Sequence, residues 1–154
     1  ERGIDGCGLP VHGVPLRAMA TMYARLTDPE RLGRLAASAD RAVRGMVASP
    51  YLVGGRNRLD TDVMTAAEDV VAKEGAEGLV CVALLGPGLG IALKIADGSA
   101  RRYGPAVVAV LQQLDILNER AMARLERHAR LPVLGGDEVQ GAVEPAVRLR
   151  RTAG

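Results

Sequence analysis

The apolar positions of the first third of the chain follow a helical spacing after a turn-rich opening. In "PLRAMATMYARLT" they recur every three or four residues, which predicts an amphipathic helix that begins after Pro15. The same spacing resumes after Pro29 and predicts a second, longer helix that ends at about Val47. We therefore expect two consecutive helices before residue 48.

A loop and a third helix are predicted in the next stretch. "SPYLVGGRNRLDTDVM" contains a proline and a Gly-Gly pair, and both oppose regular structure. Thr61 or Asp62 can cap the helix that follows, and its apolar positions continue through Val70 and Val71. We expect this helix to end near Lys73.

The apolar pattern then changes to strands. "GLVCVALL" and "LGIALKIADG" are β-rich runs separated by a Gly-Pro-Gly turn, and they predict an antiparallel hairpin because a crossover helix has no room between them. "GPAVVAVLQQL" is again helical, and Asn118 can cap a further helix to about His128. "LPVLGG" and "AVEPAVRL" are short extended pieces, the second confined by Pro145 to an edge or a strand start.

The order of these elements predicts the fold class. Helices come first, then an antiparallel hairpin, then more helices and a terminal strand, which is the order of an α+β protein. A sheet of two or three strands is small for so many helices. We therefore expect residues 1–154 to be part of a single domain whose other strands belong to an N-terminal half outside this chain.

Composition excludes some classes of function. The chain has three tyrosines and no Phe or Trp, so base stacking has little to use, and a net charge of +2 is too small to attract a polyanion. We expect no nucleic-acid partner. Arg148, Arg150 and Arg151 form the one concentrated basic run, which is typical of a solvated tail.

The cysteines and the hydropathy indicate the kind of cellular environment in which the protein works. Cys7 and Cys81 lie far apart in sequence, which is not the pattern of a disulfide scaffold and favours a reducing, cytoplasmic environment. No stretch approaches the ~18 consecutive apolar residues of a membrane span. The sequence therefore predicts no membrane partner.

The opening segment "GIDGCGLPVHG" contains the first candidate site. Cys7 lies between glycines, where a ligand or metal can approach closely, and Asp5 can hold a cation or orient a substrate amine. The simpler interpretation is that Cys7 is a small buried apolar side chain. His12 is the nearest further donor, but a lone histidine near a helix start is more often a hydrogen-bonded loop residue.

Two other segments carry charged candidates. In "KEGAEGLVCVAL", Lys73 could present its ammonium to an anionic substrate, or could be a cation at a helix C-terminus with Gly75 as its cap. In "GGRNRLDTDVM", Arg56, Arg58 and Asp60 could clamp a carboxylate or pair with one another. Residue types alone leave both alternatives open.

Four blocks together resemble the Rhizobium etli-type L-asparaginases, the L-asparaginase II family. They are "DGCGLPVHGVPLRAMATMYARL", "GGRNRLDTDVM", "KEGAEGLVCVAL" and "LKIADGSARRYGPAVVAVLQQL", in the family's order. Asp-Gly-Cys followed by the Pro-Leu-Arg-Ala helix start is the most specific. The resemblance implies a fold similar to serine β-lactamases and serine-dependent glutaminases, of which this chain is the C-terminal half.

The resemblance also implies an activity, which is hydrolysis of L-asparagine to L-aspartate and ammonia through a serine acyl-enzyme. In the family, the Ser-x-x-Lys nucleophile element lies in the N-terminal half, so we expect this chain alone to be inactive. We also expect the full-length protein to be a homodimer. The alternatives are a β-lactamase-like serine hydrolase and a catalytically inactive remnant that binds a metal or a small ligand.

The same resemblance implies roles for individual residues. Cys7 would be a zinc ligand whose partners, a Cys-x-x-Lys pair, lie in the N-terminal half. Asp5 would be an active-site carboxylate that positions the substrate amine or the metal shell. Lys73 resembles the Lys-(Ser/Thr)-Gly element of the wider fold, although Glu74 replaces the hydroxyl residue. Arg56 is the candidate for binding the substrate carboxylate, on the residue pattern of its Gly-Gly segment and not on the resemblance.

Overall fold

The computed structural model describes residues 1–99 and 103–150. Arg151, the last residue of the predicted basic tail, lies outside these ranges, as does the short segment 100–102 of the fourth family-like block. The described elements are β1 (Arg2–Ile4), β2 (Pro10–His12), α1 (Leu16–Arg25), a 3-10 helix (Pro29–Leu35), α2 (Ala36–Ala48), α3 (Pro50–Gly54), α4 (Leu59–Ala66), β3 (Val70–Gly75), β4 (Leu79–Leu84), β5 (Leu89–Lys94), α5 (Tyr103–Gln113), α6 (Glu119–Ala129), β6 (Leu131–Gly135) and β7 (Glu138–Val143).

The central feature is a three-stranded antiparallel sheet in the order β3-β4-β5. β4 and β5 form the predicted hairpin, with Val82 opposite Ile91. β3 and β4 form a second hairpin, whose turn places Glu77 and Gly78 at positive φ. Gly78 is required there because a Cβ would meet the Ile95 Cβ at 3.0 Å. The mixture of helix and antiparallel sheet is α+β, as the sequence predicts.

The prediction of a helix through Lys73 is wrong. α4 ends at Ala66, the chain turns through Asp69 at φ 53°, and Val70 begins β3. Three apolar residues at 70–72 fit either period over so short a run, and pairing with β4 decides in favour of the strand. Gly75 is accordingly the last residue of a strand and not a helix cap.

The boundaries of the other helices differ in detail. The second predicted helix is interrupted at Gly33, where φ is 54°, so a 3-10 segment precedes α2. The predicted loop contains the short α3, and α4 begins at Leu59, which places Thr61 inside the helix and not at its cap. The predicted α1 and α5 are confirmed, and Asn118 caps α6 by accepting from the Ala121 amide at 2.9 Å.

The two faces of the central sheet pack against different helices. Leu59 and Val63 of α4, together with α5, cover one face, and α6 packs against α4 and α5. Val43 of α2 and the partly buried Tyr23 of α1 cover the other, where Val71 and Ala83 lie. The larger core contains the buried residues Leu59, Val63, Met64, Ala67, Val70, Ala72, Val80, Val82, Leu84, Tyr103, Val107, Val108, Leu111 and Leu125.

Two small hairpins complete the described chain. β1 pairs with β2 near the N-terminus, and β6 pairs with β7 after α6. β7 ends at Val143, so the predicted extended piece "AVEPAVRL" contributes only its first two residues and Pro145 lies beyond the strand. None of the helices in residues 1–99 and 103–150 is long and apolar enough to cross a bilayer.

Candidate active site

The N-terminal turn of α4 meets strand β3 at a buried carboxylate. Asp60 has no exposed surface. Its Oδ2 accepts from the Lys73 ammonium at 3.2 Å and from the Glu74 amide at 3.3 Å, while its Oδ1 accepts from the Thr61 amide at 2.9 Å. Asp60 therefore joins the helix to an outer strand of the sheet through both oxygens.

Lys73 is held at two points and remains accessible. Besides Asp60, its Nζ donates to the Glu74 carbonyl at 2.9 Å, and 44% of its side chain is exposed. An ammonium group has three N–H donors, so one is not used by these two contacts. Lys73 therefore presents a positive charge to its surroundings, and its contacts with Asp60 and the Glu74 carbonyl restrict the orientation of the ammonium group.

Glu74 points to the other face of the sheet, as alternation along a strand requires. Its buried carboxylate accepts from Arg58 Nε at 2.6 Å and from the Tyr103 hydroxyl at 2.5 Å. The Glu74 charge raises the pKa of Arg58. Burial, followed by the hydrogen bond to Glu74, raises the pKa of Tyr103. Glu74, Arg58 and Tyr103 therefore form a clasp that joins β3 to the residue before α4 and to the first residue of α5.

A cavity of about 580 Å³ lies beside this clasp. Lys73 is not among the described residues that line it, because Lys73 lies on the opposite face of β3. The cavity walls combine a polar side with an apolar one. The lining is Asn57, Arg58, Leu59, Glu74, Tyr103, Gly104, His128, Leu131, Pro132, Val133 and Val143.

His128 belongs to a link between α4 and α6. Its Nε2 lies 2.5 Å from Asp62 Oδ2, and the same carboxylate accepts from the Arg127 guanidinium. Arg127 also donates to Asn57 Oδ1 at 2.9 Å. His128 is in the last turn of its helix, as the sequence indicates, and its described partner is a carboxylate of another helix.

Asp5 and Cys7 lie together in the turn between β1 and β2. The Cys7 thiol donates to Asp5 Oδ2 at 3.3 Å, and the Gly6 amide donates to Asp5 Oδ1 at 2.8 Å. Cys7 is exposed, so the interpretation of Cys7 as a buried apolar side chain is wrong. Within the described chain, the hydrogen bonds of residues 1–13 stay inside this hairpin.

The described residues do not complete a zinc site. Zinc in proteins usually takes four ligands from Cys, His and carboxylate side chains. Nowhere in residues 1–99 and 103–150 do three such side chains come together, and the turn offers only the Cys7 thiol and the Asp5 carboxylate. Any zinc held here would need donors from outside the described chain.

The two arginines that follow the Gly-Gly pair, Arg56 and Arg58, have different environments. Arg56 is exposed and makes no hydrogen bond or ion pair with another described residue. Arg58 pairs with Glu74, whereas Asp60 pairs with Lys73. The interpretation in which Arg56, Arg58 and Asp60 pair with one another is therefore wrong, and the partners come from β3.

The connection between Asp60 and Lys73 and the role of Tyr103 are not predicted from the sequence. The sequence places Asp60 in a loop, because it predicts that the helix starts after this residue. A usable signal existed, since acidic residues are favoured in the first turn of a helix, and this favours a helix that begins before Asp60. The register that brings Lys73 to it is not visible in the sequence.

One comparison with known proteins, the scan against family models, agrees with the sequence resemblance. The family model described as L-asparaginase II matches residues 1–145, which includes the Asp5–Cys7 turn and the whole of α4 and β3. A search of the curated proteins finds no relative of the chain. A match over 145 of 154 residues covers nearly the entire sequence. The chain therefore belongs to the L-asparaginase II family of asparaginase-type amidohydrolases.

Proposed function

We propose that this chain is the C-terminal half of an enzyme that hydrolyses L-asparagine to L-aspartate and ammonia. The nucleophilic serine, in a Ser-x-x-Lys element, would come from an N-terminal half, and the two halves would form one domain with a serine β-lactamase-like fold. The complete protein would be a homodimer. The observation that carries the proposal is the accessible ammonium group of Lys73. This residue lies on an outer strand of the sheet, and the buried Asp60 anchors it.

The chemistry gives Lys73 a use. Attack of a serine on the substrate amide develops negative charge on the carbonyl oxygen, and a preorganised cation stabilises that charge better than mobile water does. Lys73 has one N–H donor left after its contacts with Asp60 and Glu74. In the proposal this donor faces the substrate or the serine, and Lys73 acts through its charge.

Glu74 does not take over the function of the hydroxyl in the Lys-(Ser/Thr)-Gly element. Its carboxylate is turned to the opposite face and is occupied by Arg58 and Tyr103. We therefore assign Glu74 a structural role, and the proton-relay role of a hydroxyl at this position is absent from the proposed mechanism.

The Asp5–Cys7 turn would complete the site from the other side. In the proposal Cys7 gives up the thiol proton that it now donates to Asp5 and would provide one thiolate ligand of a zinc ion. The Asp5 carboxylate beside it would then position the substrate amine or the metal shell. Zinc would supply a positive charge beside the substrate. Arg56, which has no partner among the described residues, would bind the substrate carboxylate.

Ammonia release tests the proposal. The intact gene product should release ammonia from L-asparagine, and the 154-residue chain by itself should not, because the nucleophile is outside it. Lys73→Ala should abolish release by the intact protein, whereas Lys94→Ala, at an exposed lysine on β5, is the matched control.

The alternatives predict different results. Hydrolysis of a chromogenic lactam without hydrolysis of asparagine would replace the proposal by a β-lactamase-like hydrolase. Ammonia release by the isolated chain would show that its nucleophile is not in another half. An intact protein without either activity would leave a role in binding a metal or a small ligand.

A further inference from the structure

We infer that Asp60 is the positioning residue of Lys73: it fixes where the ammonium group lies and which of its N–H donors remains available. The catalytic consequence rests on the proposed function, but the positioning itself does not. Asp60 is fully buried and Lys73 is partly exposed, so the carboxylate is placed behind the ammonium and not in front of it.

The burial of Asp60 is the first observation that requires a specific role. A buried carboxylate is costly unless it is paired and hydrogen-bonded. Asp60 meets this condition with three donors, which are the Thr61 amide, the Glu74 amide and the Lys73 ammonium. Two of the three come from β3, so the carboxylate is directed at the strand that carries Lys73.

Gly54 shows that the carboxylate is also confined sterically. A Cβ at Gly54 would lie 1.9 Å from Asp60 Oδ1 and 2.5 Å from the Thr61 hydroxyl. These distances are too short for any side chain, so the end of α3 closes over the carboxylate only because residue 54 is glycine. The backbone of α3 therefore blocks movement of the Asp60 carboxylate toward Gly54.

The confinement of Asp60 restricts Lys73 in turn. A lysine side chain has a flexible four-carbon stem and normally samples many rotamers. Here its Nζ is bound by an immobile carboxylate and by the Glu74 carbonyl, which belongs to the strand itself. The remaining N–H donor consequently has a defined direction toward the exposed side.

The chain offers an internal reference for this arrangement. Of its 20 Lys and Arg residues, only Lys73 and Lys94 are lysines. Lys94 is exposed, and its partner is the Glu77 carbonyl, with no ion pair to a carboxylate within residues 1–99 and 103–150. Differences in amine chemistry between these two lysines therefore report on the contact of Lys73 with Asp60.

Amine labelling tests the inference. Rates of reductive dimethylation would be measured at Lys73 and Lys94 by peptide mass spectrometry in the intact protein. Asp60→Asn keeps the shape of the side chain but removes its charge, and it should raise the rate at Lys73 roughly five- to tenfold while Lys94 is unchanged. The matched control is Asp62→Asn, two residues along the same helix, which should leave the rate at Lys73 unchanged. Equal rates at Lys73 in wild type and Asp60→Asn would overturn the inference.

A measurement on the unmodified protein covers the case in which Asp60→Asn does not fold. In ¹⁵N-resolved spectra at mildly acidic pH, the Lys73 ammonium should show an individual resonance with slow hydrogen exchange, and Lys94 should not. Averaged, rapidly exchanging signals for both lysines would contradict a fixed ammonium.

Activity separates this inference from the proposed function. If Lys73 stabilises the transition state, Asp60→Asn should lower kcat for L-asparagine on the order of 100-fold with little change in KM. An increased labelling rate together with unchanged kcat would support positioning by Asp60 and overturn the catalytic role of Lys73. Unchanged labelling with lowered kcat would overturn positioning and leave the asparaginase proposal standing.

Discussion

The turn that contains Asp5 and Cys7 and the contact of α4 with β3 differ in what holds their functional groups. In the turn, the carboxylate and the thiol are exposed and are joined by local hydrogen bonds. At the α4–β3 contact, Asp60 and Lys73 are 13 residues apart in sequence and meet through a buried carboxylate. The more specific sequence motif thus lies in the less constrained place.

The difference shows that specificity of a motif and rigidity of a site are separate properties. A turn can bring Asp5 beside Cys7 with very few other residues, because neighbours in sequence are already close. Asp60 and Lys73 need the helix, the strand and the glycine that closes over them. We therefore expect substitutions at the two sites to have very different costs, and the following experiments test that expectation.

The largest expected contrast is between Asp60→Ala and Asp5→Ala. Removing Asp60 leaves the Lys73 ammonium and the Glu74 amide without their acceptor, so the free energy of unfolding should fall by about 3 kcal/mol. Removing Asp5 from an exposed turn should change it by less than about 0.5 kcal/mol. Urea denaturation followed by circular dichroism measures both, and equal losses would contradict the comparison.

Two glycines provide the next contrast. A Cβ at Gly54 would collide with Asp60, whereas a Cβ at Gly6 would have no heavy atom within 4 Å. Gly54→Ala should therefore lower the free energy of unfolding by about 2 kcal/mol through overpacking, and Gly6→Ala by a few tenths of that or less. Thermal melting of the two variants side by side is the measurement, and a stable Gly54→Ala variant would show that the end of α3 is not closed over Asp60.

The two cysteines should differ in their effect at alkaline pH. Burial raises the pKa of Cys81 from 9.0 to about 11. Since the folded state holds this proton more tightly than the unfolded state, the resulting stabilisation is complete below pH 9 and is lost as pH rises to about 11. The loss should be on the order of 2 kcal/mol.

Cys81→Ala tests this pH dependence, with Cys7→Ala as its control. The Cys81→Ala variant should lose less stability between pH 8 and pH 11 than wild type does, as judged by urea midpoints. Tyr23, whose pKa burial and then the Cys81 and Asp60 charges raise to about 12, continues the alkaline loss in both proteins. A wild-type curve that is flat over this range would contradict the burial of the thiol.

The smallest expected effect is that of zinc on the chain itself. Since the described residues supply at most a thiol and a carboxylate, excess zinc or a chelator should shift the Tm of the 154-residue chain by less than about 1 °C. In the intact protein, Cys7→Ser should reduce the bound zinc measured by mass spectrometry. A large Tm shift in the chain alone would mean that it holds a complete site.

Much of the fold follows from local patterns. The spacing in α1 and α5, the Asn118 cap of α6 and the β4–β5 hairpin are predictable because each signal lies within a dozen or so residues. Strand β3 is not, because "VVAK" continues a helical stripe and fits a strand equally well. This segment forms a strand because it pairs with β4, where Lys73 lies opposite Cys81.

The candidate site also has features that the sequence predicts and features that it does not. The sequence by itself determined the family, the position of Cys7 beside Asp5 and the choice of Lys73 as a candidate, since these depend on residue identity and short spacing. Only the tertiary structure decided that Asp60 holds Lys73, that Glu74 faces Arg58 and Tyr103, and that Arg56 has no partner among the described residues. The physical reason is that burial and hydrogen bonding between elements depend on strand register, which is settled when the sheet packs against its helices.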